Sequence, residues 1–517
     1  MPTREDRFYK QSSHLNALLD QDPSEAVRQA REIDLAIADE VERINLTGLC
    51  ASILVDGGVL ARQKDAILEG LTLFRELHKI FPTDDVTYNL ANGLIASVGQ
   101  PPEKDWLDHQ ERTRVDRAEA RRCLWKVANN ESADSSLQSQ AWTNLANQFS
   151  GSYRLGEAHD ARLVALEKDP KNGVAAIGAA RELLWLYRQG NCSEVTLIEA
   201  AMMAKVATQH YDQVAQYAGV QFAKEIIEFA SKFEDPPPRA LHKDDFVYWV
   251  ERERLTLAPT VELVDPSLGK MDWLMLPGIL ERQPDSGGSP PPVFAMFNSL
   301  KSDFILARDL AWRATQESTW PTTGRFSDTL DYANYGPNSS ALILAHRTSL
   351  DLLDKVAVTA NHYFEFGENP KDVSFGKLWR GKADAKTGIR PLAGQIRKTI
   401  AGGVTALYGL VELAEDYDNA TGILRSQKNL RNAGTHRFVV LHDVGDPKNS
   451  REAPEIERHR LEEFRKELLK ALRIARSAIQ MLALSITQHE KGLTERTTGI
   501  IGSMIVPDHD YIRGRDQ

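Results

Sequence analysis

One short segment of the sequence combines the residue types that acid–base chemistry at a phosphate needs. Arg431 is followed directly by Asn432 and, after three further residues, by His436, which makes an Arg-x4-His pattern. A histidine with an ordinary pKa near ~6.5 can take up or release a proton at neutral pH. An arginine stays charged and can place two N–H donors on two phosphate oxygens. These residue types could therefore do acid–base chemistry at a phosphate.

RNA can be cleaved at such a site without a metal, because its own 2′-hydroxyl can attack the neighbouring phosphorus. One group must remove the 2′ proton, and another must protonate the leaving 5′ oxygen. We predict that His436 is the acid–base residue and that Arg431 stabilises the charge developing on the phosphate. Asn432 would orient the histidine or donate to phosphate. The alternative is that Asn432 only caps the end of a helix.

The segment is locally basic in an acidic chain. The protein has 63 basic and 73 acidic residues, which gives a net charge of −10. A chain with this charge is not expected to bind nucleic acid nonspecifically. Residues 421–437 nevertheless contain no acid, and the upstream loop Gly376–Lys398 has seven basic residues. We predict that Arg425, Lys428 and Arg437 contact RNA phosphates. The alternative is a solvated surface that acids elsewhere in the fold neutralise.

Two other segments, Arg154–His159 and Arg437–His442, have the same spacing. Gly434 favours the segment around Arg431, because glycine can break a helix and would let His436 fold back toward the arginine. The Arg437–His442 segment lies in an FVVLHD run, which is typical of an extended segment without a catalytic role. The sequence has no metal-ligand spacing and no glycine-rich phosphate loop, so we predict no metal and no cofactor.

The wider surroundings resemble the HEPN superfamily, whose ribonucleases carry this motif in a helical bundle. The resemblance rests on Phe297–Leu310, Leu352–Phe364 and Leu430–Arg437, and it extends from Val293 to near Lys491. These segments look like the branch of HEPN proteins that follows tetratricopeptide repeats.

That resemblance implies a metal-independent endoribonuclease, often a toxin or an anti-phage effector that causes abortive infection. One motif offers a single histidine, and the resemblance implies a homodimer in which two motifs face one cleft. Asp354 and Lys355 also lie in a resembling segment. As neighbours in a helix they point to different faces, so one is expected to support the motif and the other to be solvated.

The first part of the chain is helical and repetitive. The tetrapeptide NLAN occurs at Asn89–Asn92 and again at Asn144–Asn147. Trp142–Pro170 resembles the ~34-residue tetratricopeptide unit, with small and large residues at the expected spacing. Arg162 departs from that pattern, because an aromatic residue is usual there. The resemblance implies an array that binds a protein or peptide; the alternative is a plain bundle of amphipathic helices.

Two proline-rich breaks, at residues 235–238 and 283–292, divide the chain. We therefore predict an all-α protein with a tetratricopeptide-like repeat domain at 1–235 and an irregular, proline-rich connector at 236–292. A HEPN helical bundle would follow at 293–491, and a C-terminal tail at 492–517. The three scattered cysteines, the absence of a signal-like N-terminus and the lack of a long apolar run favour a cytoplasmic protein without a membrane span.

The predicted function is thus an endoribonuclease whose partners are RNA and a protein or peptide at the repeat array. A non-catalytic adaptor competes with it, in which the repeats form a scaffold and the HEPN bundle only binds RNA or a nucleotide.

Overall fold

The computed structural model describes residues 4–36, 39–190, 194–236, 245–258, 272–281, 289–316, 320, 324–386, 390–444, 447 and 453–498. These residues form nineteen α-helices and one small three-stranded sheet, which confirms the all-α prediction. Cys192, most of the second proline-rich break and the end of the C-terminal tail lie outside the described residues.

The chain divides into two compact units. The N-terminal unit comprises Met1–Leu183, Ile198–Pro237 and Asn419–Leu424, and the C-terminal unit comprises Leu184–Leu197, Pro238–Asp418 and Arg425–Gln517. The first proline-rich break therefore coincides with a boundary between units. The second does not, because residues on both sides of it belong to the C-terminal unit.

Twelve helices precede the first proline-rich break. In chain order they are α1 Arg4–Gln21, α2 Pro23–Arg31, α3 Glu40–Leu60, α4 Lys64–Ile80, α5 Asp84–Val98, α6 Trp106–Ala128, α7 Ser135–Ser150, α8 Leu155–Lys168, α9 Gly173–Gln189, α10 Val195–Gln209, α11 Tyr211–Ala218 and α12 Val220–Ala230.

From α3 to α8 each helix packs against the next one along the chain. Small buried residues such as Ala141, Ala146 and Ala158 let the helices approach closely, and Phe149 fills the space between α7 and α8. The two NLAN copies meet, since the Asn144 amide donates to Asn92 Oδ1 over 2.9 Å. The helix pair predicted from Trp142–Pro170 is therefore present as α7 and α8.

At Arg162, a buried ion pair takes the place of the aromatic residue that is usual at this position of the repeat. Its guanidinium donates to both carboxylate oxygens of Glu182, over 3.1 and 2.9 Å, and also to Asn147 Oδ1. Gly178 makes room for it, because a Cβ at that position would lie 2.2 Å from the guanidinium. The departure from the repeat pattern is thus matched by a glycine and a glutamate on α9.

Among the described helices, α3 has the length and hydropathy of a membrane span. Several of its apolar side chains, including Leu49, Ile53 and Leu54, are buried in the core of the N-terminal unit. Packing within that unit accounts for the apolar character of these residues.

The C-terminal unit contains seven further helices and the sheet. They are α13 Asp245–Arg252, α14 Pro292–Arg313, β1 Ala333–Asn334, α15 Pro337–Tyr363, α16 Gly394–Ala401, α17 Leu407–Asp418, α18 Arg425–His436, β2 Phe438–His442, β3 Ile456–Arg460 and α19 Leu461–Arg496. The sequence predicts one helix over Ala393–Asp416, but the structure has two there, because the chain turns at Gly403, where φ is +110°. Apolar residues at a 3.6-residue period predict one long helix over Pro454–Glu490, but its first residues form β3, and α19 begins only at Leu461.

The sheet has the order β1-β2-β3, with β1 antiparallel and β3 parallel to β2. The extended segment predicted for FVVLHD is confirmed as β2. Helices α14, α15 and α19 pack on one another, and α18 packs on α15 and β2. The helix that carries the Arg-x4-His motif is therefore directly followed by the central strand.

The described residues of the segment interpreted as an irregular connector, 245–258 and 272–281, are instead an integral part of this unit. Asp272 forms an ion pair with Arg308 of α14, over 2.6 Å, and Glu253 forms one with Arg473 of α19, over 2.8 Å. The buried Arg476 donates to the Arg254 carbonyl. Buried arginines need such acceptors, so α14 and α19 depend on this segment for their polar partners.

Candidate active site

Helix α18 carries the whole Arg-x4-His motif. The helix runs through Gly434 to His436, and the Arg437 N–H closes its last turn by donating to the Ala433 carbonyl over 2.8 Å. The expectation that Gly434 breaks the helix is wrong. In a helix, residues five apart differ by about 140° around the axis and about 7.5 Å along it. Arg431 and His436 therefore do not point to the same place.

Arg431 faces α15, where two carboxylates hold it. Its Nε donates to Asp351 Oδ1 and a terminal nitrogen donates to Asp354 Oδ2, each over 2.7 Å. Its side chain is only 22% exposed. Tyr417 lies buried beside it, and burial raises the pKa of that tyrosine to about 12. The guanidinium thus anchors α18 to α15, and two of its three nitrogens are already occupied.

Of the two adjacent residues Asp354 and Lys355, Asp354 supports the motif and Lys355 is solvated. Asp354 also accepts a hydrogen bond from the Phe375 N–H over 2.8 Å, so it ties a loop to the same point. Lys355 lies on the surface and pairs with Asp303. Asp351, which lies one helical turn before Asp354, was not singled out in the sequence. Its signal in the sequence is the spacing of two aspartates three residues apart, which places them on the same side of a helix.

A second polar contact fixes α18 one turn earlier. His346 of α15 and Gln427 share a hydrogen bond of 3.0 Å between Nε2 and Oε1, and Gln427 also donates to Glu467 of α19. Burial lowers the pKa of His346 to about 4, so this histidine is neutral at physiological pH. Helix α18 is therefore held between α15 and α19 on its inner side.

The outer side of α18 presents Asn432 and His436. They are four residues apart, so they lie on the same face of the helix, and both are exposed. Asn432 lies within the helix and not at its end, so the alternative that it is a C-cap is wrong. The structure thus brings the amide and the imidazole together on an accessible surface and places Arg431 elsewhere.

The predicted phosphate contacts all have partners in the fold. Arg425 donates to the Asp418 carbonyl over 2.6 Å, Lys428 pairs with the Asp418 carboxylate, and Arg437 pairs with Glu457 over 2.7 Å. Acids outside the segment therefore neutralise part of its positive charge. Arg437 keeps 45% of its side chain exposed and is the most accessible of the three.

Neither of the other matches to the motif forms an accessible site. Arg154 is fully buried, pairs with Glu157 over 2.7 Å and lies 4.4 Å from the Phe149 ring centre. His442 is 1% exposed in β2, and burial lowers its pKa. Among the described residues, no group of three or more His, Cys, Asp or Glu side chains could hold a metal ion.

Residues 285–489 match the family model described as LA2681-like HEPN. The C-terminal region therefore contains a HEPN domain. The match runs from before α14 into α19 and includes the complete motif on α18. No curated protein matches the chain.

Proposed function

We propose that the HEPN domain is a metal-independent endoribonuclease with His436 as its acid–base residue. HEPN domains are often ribonucleases, and some bind nucleotides instead. The observation that carries the proposal is the exposed imidazole of His436, which shares a helix face with Asn432 at the end of a helix fixed on its inner side. A proton acceptor in this position can reach the 2′-hydroxyl of a bound strand.

In the proposed reaction the 2′ oxygen attacks the adjacent phosphorus while its proton passes to an imidazole. The bond from phosphorus to the 5′ oxygen breaks, and that oxygen takes a proton from a second group. The products are a 2′,3′-cyclic phosphate and a free 5′-hydroxyl. Asn432 can donate its amide to a phosphate oxygen as negative charge develops there.

We expect cleavage to persist in EDTA and to leave 2′,3′-cyclic phosphate ends, because imidazole groups move the protons. The rate should also fall as salt rises, because cations screen the phosphate contacts. End-group analysis of the products, with and without a chelator, tests this prediction. Loss of activity on chelation that magnesium restores would overturn the mechanism.

The reaction needs two proton-transfer groups, and this supports a homodimer through the HEPN domain. Arg431 is turned inward and His442 is buried, so the motif of one protomer supplies one accessible imidazole. In a symmetric dimer the same surface meets itself, and two His436 side chains can converge on one phosphate.

Mixing wild-type protein with the His436→Ala variant should therefore lower activity faster than the wild-type fraction. If subunits exchange freely, activity should follow the square of that fraction and reach about one quarter at equal mixing. Initial rates across mixing ratios measure this, with molar mass from light scattering. A fully active monomer, or a linear fall with demonstrated exchange, would contradict a shared site.

We propose further that the N-terminal unit binds a protein or peptide that regulates the nuclease. A cavity of about 160 Å³ in that unit supports this, with a lining that includes Tyr88, Gln140, Asn144, Asn172 and Tyr217. Amide and hydroxyl groups of this kind can bind peptide backbone. A role as a toxin or anti-phage effector would fit an RNA-cutting domain under such control.

The competing function is a non-catalytic adaptor whose HEPN domain binds RNA or a nucleotide. Its support is the number of motif cations that already have acidic partners, which leaves fewer of them for a transition state. Incubation of the purified protein with total RNA distinguishes the two. Cleavage that disappears with His436→Ala favours the enzyme, whereas binding without cleavage favours the adaptor.

A further inference from the structure

Two arginines and a phenylalanine share one face of the small sheet next to His436. The parallel register of β2 and β3 pairs Phe438 with Ile456, Val440 with Arg458, and His442 with Arg460. Side chains of paired residues point to the same face, and every second residue returns to that face. Phe438, Arg458 and Arg460 therefore follow one another on one face, which we call the arginine face.

The arginine face combines an exposed aromatic ring with two arginines that have no ion-pair partner among the described residues. Phe438 is 70% exposed, although it begins a strand of the unit. Arg460 is exposed as well, and neither it nor Arg458 has an ion-pair partner within the described part of the chain. The buried Nε of Arg458 also has no acceptor there. By contrast, Arg437 and the cations of α18 all pair with acids or carbonyls.

An exposed aromatic ring beside unpaired arginines fits one class of ligand in particular. Arginine binds phosphate through its planar set of donors, and an aromatic ring stacks on a base that is not paired in a duplex. Successive residues on one face of a strand are about 6.6 Å apart, so the two arginines and the ring span on the order of 13 Å. That distance suits neighbouring nucleotides of an extended strand.

We propose that the arginine face binds unpaired nucleotides of an RNA strand whose scissile phosphate lies at His436. Phe438 stacks on a base, and Arg458 and Arg460 bind the phosphates that follow. The inference rests on the proposed nuclease function and deepens it, because it makes single-stranded RNA the substrate class. A duplex would not satisfy this face, since its bases are stacked on one another and closed to the ring.

The test measures RNA binding in the uncleaving His436→Ala background, by fluorescence anisotropy with a labelled oligonucleotide as a single strand and as a duplex. We expect the single strand to bind more tightly, and Phe438→Ala to weaken that binding at least about fivefold. Log affinity falls linearly with the logarithm of the salt concentration. Removing either arginine should make that slope shallower by about 0.7, because one phosphate contact is lost. Tyr248→Ala, at an exposed aromatic on α13, and Arg465→Ala, at a paired arginine on α19, are the matched controls.

The outcomes separate this inference from the nuclease proposal. If the wild type cleaves RNA but the three variants bind like the controls, the arginine face is not the RNA site and the nuclease proposal stands. If single strands bind through this face but the wild type never cleaves, the arginine face is still the site for unpaired RNA and the nuclease proposal fails. A change in molar mass for Phe438→Ala with unchanged RNA binding would make the face a contact between copies of the chain and overturn the inference.

Discussion

His436→Ala should lower the rate of RNA cleavage by at least about 100-fold, because proton transfer by a positioned histidine contributes roughly 10²- to 10⁴-fold. The same change should leave the thermal midpoint of unfolding almost unaltered. His436 is exposed at the end of α18 and fills no core position, and surface substitutions of this kind are usually within about 0.5 kcal/mol. Initial cleavage rates and thermal unfolding of the full chain measure both effects.

A matched control is available in His362→Ala, at another exposed histidine near the end of α15. It should retain wild-type cleavage. If both variants cut RNA at the wild-type rate, the assignment of the acid–base residue is wrong. A large loss of stability in the His436 variant would mean that its lost activity reports folding and not chemistry.

Arg431→Ala should also abolish cleavage, but it should destabilise the protein by about 2 kcal/mol. Removal of the guanidinium leaves Asp351 and Asp354 side by side without a cation, and breaking a partly buried pair is costly. The cost stays below that of a fully buried pair because the Asp351 side chain is 43% exposed and water screens it.

A comparison with a triple variant shows what the arginine does. If its role is to anchor α18, then Asp351→Asn with Asp354→Asn in the Arg431→Ala background should recover part of the lost stability, because the repulsion between carboxylates is gone. Cleavage that returns together with stability identifies Arg431 as a positioning residue. Cleavage that stays lost in the stabilised variant assigns the guanidinium a direct role at the phosphate.

Much of the architecture could be predicted from local patterns. The amphipathic pattern of Phe297–Arg313 predicts a helix, which is present as α14, and α7 and α8 form the helix pair predicted from Trp142–Pro170. The extra turn at Gly403 and the short strand β3 were not predicted. A strand of five residues is stabilised by its neighbours, and β3 depends on β2 in a way that helical periodicity cannot reveal.

The candidate site could be predicted only in part from the sequence. The motif and the extended β2 segment could be located, because their residues are adjacent in sequence. The direction of Arg431 could not, since its partner Asp351 lies 80 residues earlier. The same is true of Lys428 and Arg437, because neutralisation by Asp418 and Glu457 depends on tertiary packing.

The contacts between α19 and the segment predicted to be a connector limit the order in which the chain can complete its fold during synthesis. Glu253 pairs with Arg473, which lies 220 residues later. At roughly 5–20 residues per second, a ribosome needs on the order of 10 to 45 s to deliver that partner. Helix α18 leaves the ribosome before α19, yet Gln427 needs Glu467 on α19 as one of its supports. The proposed catalytic surface therefore gains this support only after α19 has been synthesised, because Glu467 follows Gln427 by 40 residues.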